Sequence, residues 1–89
     1  MKDQSKWYLE ARYTHVQSHY KKAVVIEKNE LLKLESYNTL VAVYDKSKKE
    51  LKVLNTQSLT TLRHLTDFIK QYTDVYIRNN DDIRKLQVY

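Results

Sequence analysis

Apolar positions change their spacing once along this chain, and the change separates two kinds of element. From Lys21 to Asn55 the apolar residues fall in short, mostly alternating runs rich in β-branched side chains, the signature of strands. From Ser58 to Tyr72 they recur at three- and four-residue intervals: Leu59, Leu62, Leu65, Phe68, Ile69 and Tyr72 make one stripe of an α-helix. Ser58 stands where an N-cap is needed. Thr60, His64, Asp67 and Gln71 are then expected on the opposite side, as a polar row offered to solvent or to a partner.

The strand region divides further. Lys21 to Glu27, centred on Ala23, Val24, Val25 and Ile26, predicts one strand, and Lys28-Asn29 predicts a reversal because Asn tolerates a positive φ. Glu30 to Tyr44 reads as a single long strand whose alternation slips near Ser36-Tyr37-Asn38, which suggests a bulge there. Asp45-Lys46-Ser47-Lys48 is a polar hairpin loop, and Lys49 to Asn55 returns with Leu51 and Val53 inward. Trp7 to Tyr13 fits strand parity as well as helical spacing; Tyr13, Thr14, Val16 and Tyr20 tip it towards a strand. Asp74 to Arg78 is expected to be extended. Asn79-Asn80-Asp81-Asp82 then resembles a helix start, with Ile83, Leu86 and Tyr89 docking the last turn. The expected fold is α+β: a three- to four-stranded antiparallel sheet packed on one main amphipathic helix, with a short C-terminal helix or turn. Residues 1–89 form a single small domain with a core unit at about 18–72.

Composition changes this picture in two ways. Glycine, proline and cysteine are all absent, so turns fall to Asn, Asp, Lys and Ser, and neither disulfides nor cysteine–zinc staples are available. A glycine-rich phosphate loop is excluded on the same ground. Eight tyrosines supply ring area with a polar tip, suited to a core margin, a binding face or a homodimer contact. No run of apolar residues is long enough to span a membrane, and a cytoplasmic location is expected. The net charge of +5, with both signs interspersed, favours polyanionic partners only weakly.

Three sets of residues are candidates for chemistry. Thr60, His64, Asp67 and Gln71, with Arg63, form a prospective contact strip for a protein partner. Read as catalytic, His64 lacks any neighbouring nucleophile and orienting group in the sequence. His15 and His19, four apart, have a metal-chelating spacing only on a helix and lack a third ligand, so no metal or other cofactor is expected. Lys21, Lys22, Lys46, Lys48, Lys49 and Lys52, with Tyr20, Tyr37 and Tyr44 nearby, have the make-up of a nucleic-acid platform, in which cations meet phosphates and rings lie under bases. Glu27, Glu30, Glu35, Asp45 and Glu50 dilute that charge.

Three segments resemble a group of short proteins carried by phages and mobile elements of Gram-positive and gut bacteria. Ser18-His19-Tyr20-Lys21-Lys22-Ala23 is similar to that group's "S-F-Y-G-K-A", with His19 for the aromatic and Lys22 for the glycine. Leu34-Glu35-Ser36-Tyr37-Asn38-Thr39-Leu40-Val41-Ala42 is similar to "L-x-S-Y-x-T-x-V-A". Ser58 to Phe68 resembles "S-x-T-T-x-R-H-I-x-E-F", with Asp67 for glutamate, followed by Gln71. The resemblance implies a small sheet on one helix and a non-enzymatic accessory protein. It would bind and block a host or defence component, of which an anti-CRISPR inhibitor of a CRISPR effector is the most concrete form. A small basic nucleic-acid-binding module is the alternative.

Overall fold

The computed structural model describes residues 4–14, 19 and 21–87. His15, Val16, Ser18, Tyr20 and Tyr89, to which the sequence assigned strand, motif or docking roles, lie outside the described residues. Five strands run in chain order across one antiparallel sheet: β1 (Gln4–Tyr8), β2 (Ala23–Lys28), β3 (Leu31–Ser36), β4 (Thr39–Asp45) and β5 (Glu50–Val53). Helix α1 (Leu59–Tyr72) packs over β3 and β4, and the short α2 (Asn80–Lys85) leans on α1. The expected α+β class is present, with five strands in place of three or four.

The extra strand comes from what reads as one strand between Glu30 and Tyr44. Tyr37 and Asn38 have φ of 50° and 67°, both left-handed, and Ser36 pairs with Thr39 across them. Two consecutive positive φ values make the two-residue turn whose twist matches a hairpin. Asn38 is a usual occupant of that turn and Tyr37 is not, so the sequence disguises it. The slip in alternation is nonetheless real, and it sits beyond the turn, at Val41. Leu34 pairs with Ala42 and Glu35 with Leu40, so Val41 is the additional residue of a β-bulge. That is why the adjacent Val41 and Ala42 are both buried. Asn29 at 55° and Lys49 at 54° close the other two hairpins in this glycine-free chain.

One sheet face is covered by α1. Ala23, Val25, Leu32, Leu34, Ala42, Tyr44 and Val53 meet Leu62, Leu65, Phe68 and Ile69 in a single core, which also draws in Leu9, Ile77 and Ile83 from outside residues 18–72. Each fully buried Val, Leu, Ile or Phe among them contributes about 1.5–3 kcal/mol. Trp7, opposite Val25 in the register, closes the margin by donating its indole N–H to the Tyr72 hydroxyl at 2.9 Å. The other sheet face carries Lys6, Ile26, Lys33, Val43 and Lys52 in one cross-strand row. Among the described residues no helix is long and apolar enough to cross a membrane.

Candidate functional site

The two ends of α1 are capped as its sequence demands. Ser58 Oγ accepts the Thr61 N–H at 3.0 Å, and the Thr73 N–H closes on the Ile69 carbonyl. What differs from expectation is how much of the helix circumference is buried. Thr61, Leu62, His64, Leu65, Asp67, Phe68 and Ile69 are all inside. At about 100° per residue these cover well over half a turn. The polar row is therefore not a solvent-facing strip: His64 and Asp67 are both 0% exposed. Leu59, expected inward, is 54% exposed, because it shares its angular position with Arg63, Thr66 and Lys70 rather than with Leu62. Of the five expected contact residues, Arg63 is exposed, Thr60 and Gln71 are half-buried, and His64 and Asp67 are covered.

The segment following β1 supplies the cover, and Asp67 holds it. One carboxylate oxygen accepts the backbone N–H of Arg12 at 2.9 Å and of Tyr13 at 2.6 Å. The other accepts the Thr14 hydroxyl at 2.8 Å and His19 Nε2–H at 2.7 Å. Gln71, one turn later, donates to the Glu10 carbonyl at 2.7 Å. Burial alone would raise the Asp67 pKa, but the His19, Tyr13, Arg12 and Thr14 hydrogen bonds together outweigh it and hold the carboxyl below its ordinary range.

His64 lies beside this anchor. Its Nδ1 is 2.7 Å from Ser36 Oγ, its ring meets His19 in a T-shaped contact with centroids 4.6 Å apart, and Tyr37 lies against it at 5.8 Å. Its Nε2 has no hydrogen-bond partner among the described residues. Burial first, then the charges of His19 and Lys22, lower the His64 pKa to about 4, against the opposing pull of Asp67. Ser36 and His64 thus have the composition of a nucleophile and its base. However, Asp67 orients His19 rather than His64, Ser36 is buried, and so depressed a base is weak at neutral pH. Chemically the cluster is an internal brace: Ser36 ties β3 to α1, and Asp67 ties residues 12–14 to α1.

The brace shapes a concavity on the outside. The held segment forms one wall through Tyr13 and Thr14, α1 forms the floor through Arg63, Thr66 and Lys70, and Ile77 to Asn80 form the far wall; the space is about 280 Å³. Among the described residues three cations line it and no carboxylate does. Lys70 Nζ lies 5.7 Å from the Tyr13 ring centroid. Arg78 is steadied by Asp82, which accepts its backbone N–H at 2.8 Å and its Nε–H at 3.4 Å. Arg63 makes no ion pair among the described residues. Tyr13 and Tyr76, 53% and 80% exposed, stand beside this space and the adjoining groove. Sequence reasoning assigned Arg63 to the strip but did not single out Lys70, Arg78 or Tyr76. The available signal was the seven-residue spacing of the long cations Arg63 and Lys70, which puts both on one helix stripe.

The lysine set does not form one edge. Lys21 and Lys22 precede β2, whereas Lys46, Lys48 and Lys49 lie beyond its other end, where the Lys46 N–H donates to the Glu30 carbonyl. A six-residue strand separates the two groups by about 20 Å. Lys46 is paired with Glu27, Lys49 lies 3.8 Å from Asp74, and Lys52 faces outward from β5. His19 is committed to Asp67, and among the described residues no cluster of three metal-ligating side chains exists.

No curated protein and no solved structure matches the chain. Residues 7–85 match a family whose description is "Family of unknown function (DUF8033)", a span that takes in β2 to β5, both helices, the internal brace and the basic concavity. The chain therefore belongs to the family of unknown function DUF8033.

Proposed function

We propose that this protein is a non-enzymatic binding module that engages another protein through the outward side of α1 and the two segments flanking it. The observation that carries the reading is the gathering of Arg63, Lys70, Arg78 and Tyr13 around one concavity, with Tyr76 and a single carboxylate, Asp74, in the adjoining groove. Arginine and tyrosine are the residue types that dominate binding energy at protein interfaces, and a fixed backbone beneath them lowers the entropy lost on association. The Asp67 brace supplies that fixation for the Tyr13 wall. The partner would present an acidic patch. On the resemblance to phage and mobile-element proteins, that partner is a host or defence protein, with inhibition of a CRISPR effector as the most concrete form.

The test is capture of purified candidate partners, CRISPR effectors included, by the wild-type chain and by an Arg63→Glu/Lys70→Glu variant of unchanged melting temperature. Binding by the first and not the second supports the reading; equal binding by both sinks it. The second reading, nucleic-acid binding, draws on the same cations beside exposed rings, which could hold phosphates and bases. It requires a mobility shift at physiological salt that weakens steeply as salt rises.

A further inference from the structure

We infer that the concavity between α1 and the Ile77–Asn80 segment is an anion site that receives a phosphomonoester carried on a side chain of the protein partner. The inference rests on the reading of this face as a protein-binding one. Arg63 and Lys70 stand two helical turns apart, and the short Thr66 between them leaves room for both long side chains to converge above it. Arg78 enters from the opposite wall. Asp82 takes only its Nε, so both terminal nitrogens of the guanidinium are without a partner among the described residues. A guanidinium held in this way presents two parallel donors, the geometry that suits a phosphate.

Charge decides between anions. Because Asp82 already offsets Arg78, Arg63 and Lys70 set the net charge of the site. A partner carboxylate would compensate one of these two, whereas a phosphomonoester brings close to two negative charges and three acceptor oxygens. The walls suit what carries the group. Tyr13 and Ile77 give an apolar margin to a space of about 280 Å³, larger than a bare phosphate fills. Lys70 already rests over the Tyr13 ring, so an entering phosphate finds a cation and a ring face prearranged.

The experiment is a titration of the ¹⁵N-labelled full chain with O-phosphotyrosine, O-phosphoserine, adenosine 5′-monophosphate, inorganic phosphate and unphosphorylated tyrosine, at constant ionic strength. The Arg63, Arg78, Thr66 and Asn79 signals are followed. Saturable shifts with the phosphoamino acids and none with tyrosine are expected, weakened at least about tenfold in Arg63→Ala/Lys70→Ala. That variant removes two exposed side chains and should keep the wild-type melting temperature. No saturable shift up to about 10 mM overturns the site, as do shifts that persist unchanged in the variant. Tighter binding of the nucleotide than of either phosphoamino acid overturns the assignment to a partner's side chain. Because these probes need no partner protein, a failed titration with successful partner capture removes the anion site alone. The converse keeps the anion site and removes the protein-binding reading together with the assignment of the phosphate to a partner's side chain.

Discussion

Replacing His64 by glutamine should flatten the acid limb of the stability curve, and the size of the effect follows from burial. In the unfolded chain this imidazole titrates at its ordinary 6.5, whereas in the fold it does so only at about 4. Between those values the unfolded state holds a proton that the folded state refuses. Stability is therefore complete above pH 6.5 and falls by about 1.4 kcal/mol for each unit below it. By pH 4 the accumulated loss is about 3 kcal/mol, a large share of what a domain of this size possesses. The groups facing His64 are His19 and Lys22, which oppose its protonation, and Asp67, which favours it weakly. Glutamine can still reach the Ser36 hydroxyl but does not titrate. Urea unfolding of both proteins at half-unit steps from pH 7.5 to 4 would give two curves. Their difference should be flat above pH 7 and shrink by about 3 kcal/mol towards pH 4. Parallel curves, or a His64 ring proton titrating near 6.5 in NMR, would refute the reasoning.

Further predictions follow from the brace, the turns and the cap. Asp67→Asn replaces one acceptor oxygen by an NH2 donor that faces donors and should cost about 3 kcal/mol in urea unfolding, with exchange protection lost at the Arg12 and Tyr13 amides. Because its carboxyl is held low, the Asp67 contribution is present above pH 3.8 and lost as the pH falls through the lower folded value, so it adds to the His64 effect only in stronger acid. Lys49→Gly relieves a left-handed residue at φ 54° and should raise stability by about 1 kcal/mol, seen as a rise of several degrees in Tm. Ser58→Ala removes the α1 cap and should cost about 1 kcal/mol by the same measurement; an unchanged Tm would show that the Thr61 N–H finds another acceptor.

Two of the expected contact residues turned out to be internal, and the reason is visible in the donors they face. His64 and Asp67 look like members of a solvated row as long as only the helix is considered. Seen in three dimensions, Asp67 is the acceptor for amides more than fifty residues away, and Ser36 reaches His64 from β3. A helical period reports which positions share a side, and cannot report that a loop from the other end of the chain will lie over the polar side as well. Likewise, the six lysines form a single set in sequence composition, but Lys21 and Lys22 lie at one end of β2, Lys46, Lys48 and Lys49 beyond the other, and Lys52 on the outer sheet face.

Local preference was legible because it is set by neighbours within a few residues. The α1 boundaries follow from the apolar stripe and Ser58, the α2 start from Asn79 and its acidic first turn, and the left-handed turn at Asn29 from the tolerance of asparagine. The α+β class followed from a one-sided sheet and a one-sided helix each needing cover. Tyr37 as a turn residue was not legible, because its left-handed backbone is imposed by the pairing of β3 with β4 and by its place against His64. The concavity of Arg63, Lys70 and Arg78 was not legible either. Its walls are brought together by a buried carboxylate and a helix-capping segment that adjoin only once the core has closed. The chain's own sequence determined its elements, since those depend on local sterics and periodicity. Tertiary structure alone decided which polar side chains became an internal brace and which remained as a binding surface, since that depends on which distant backbone donors need an acceptor.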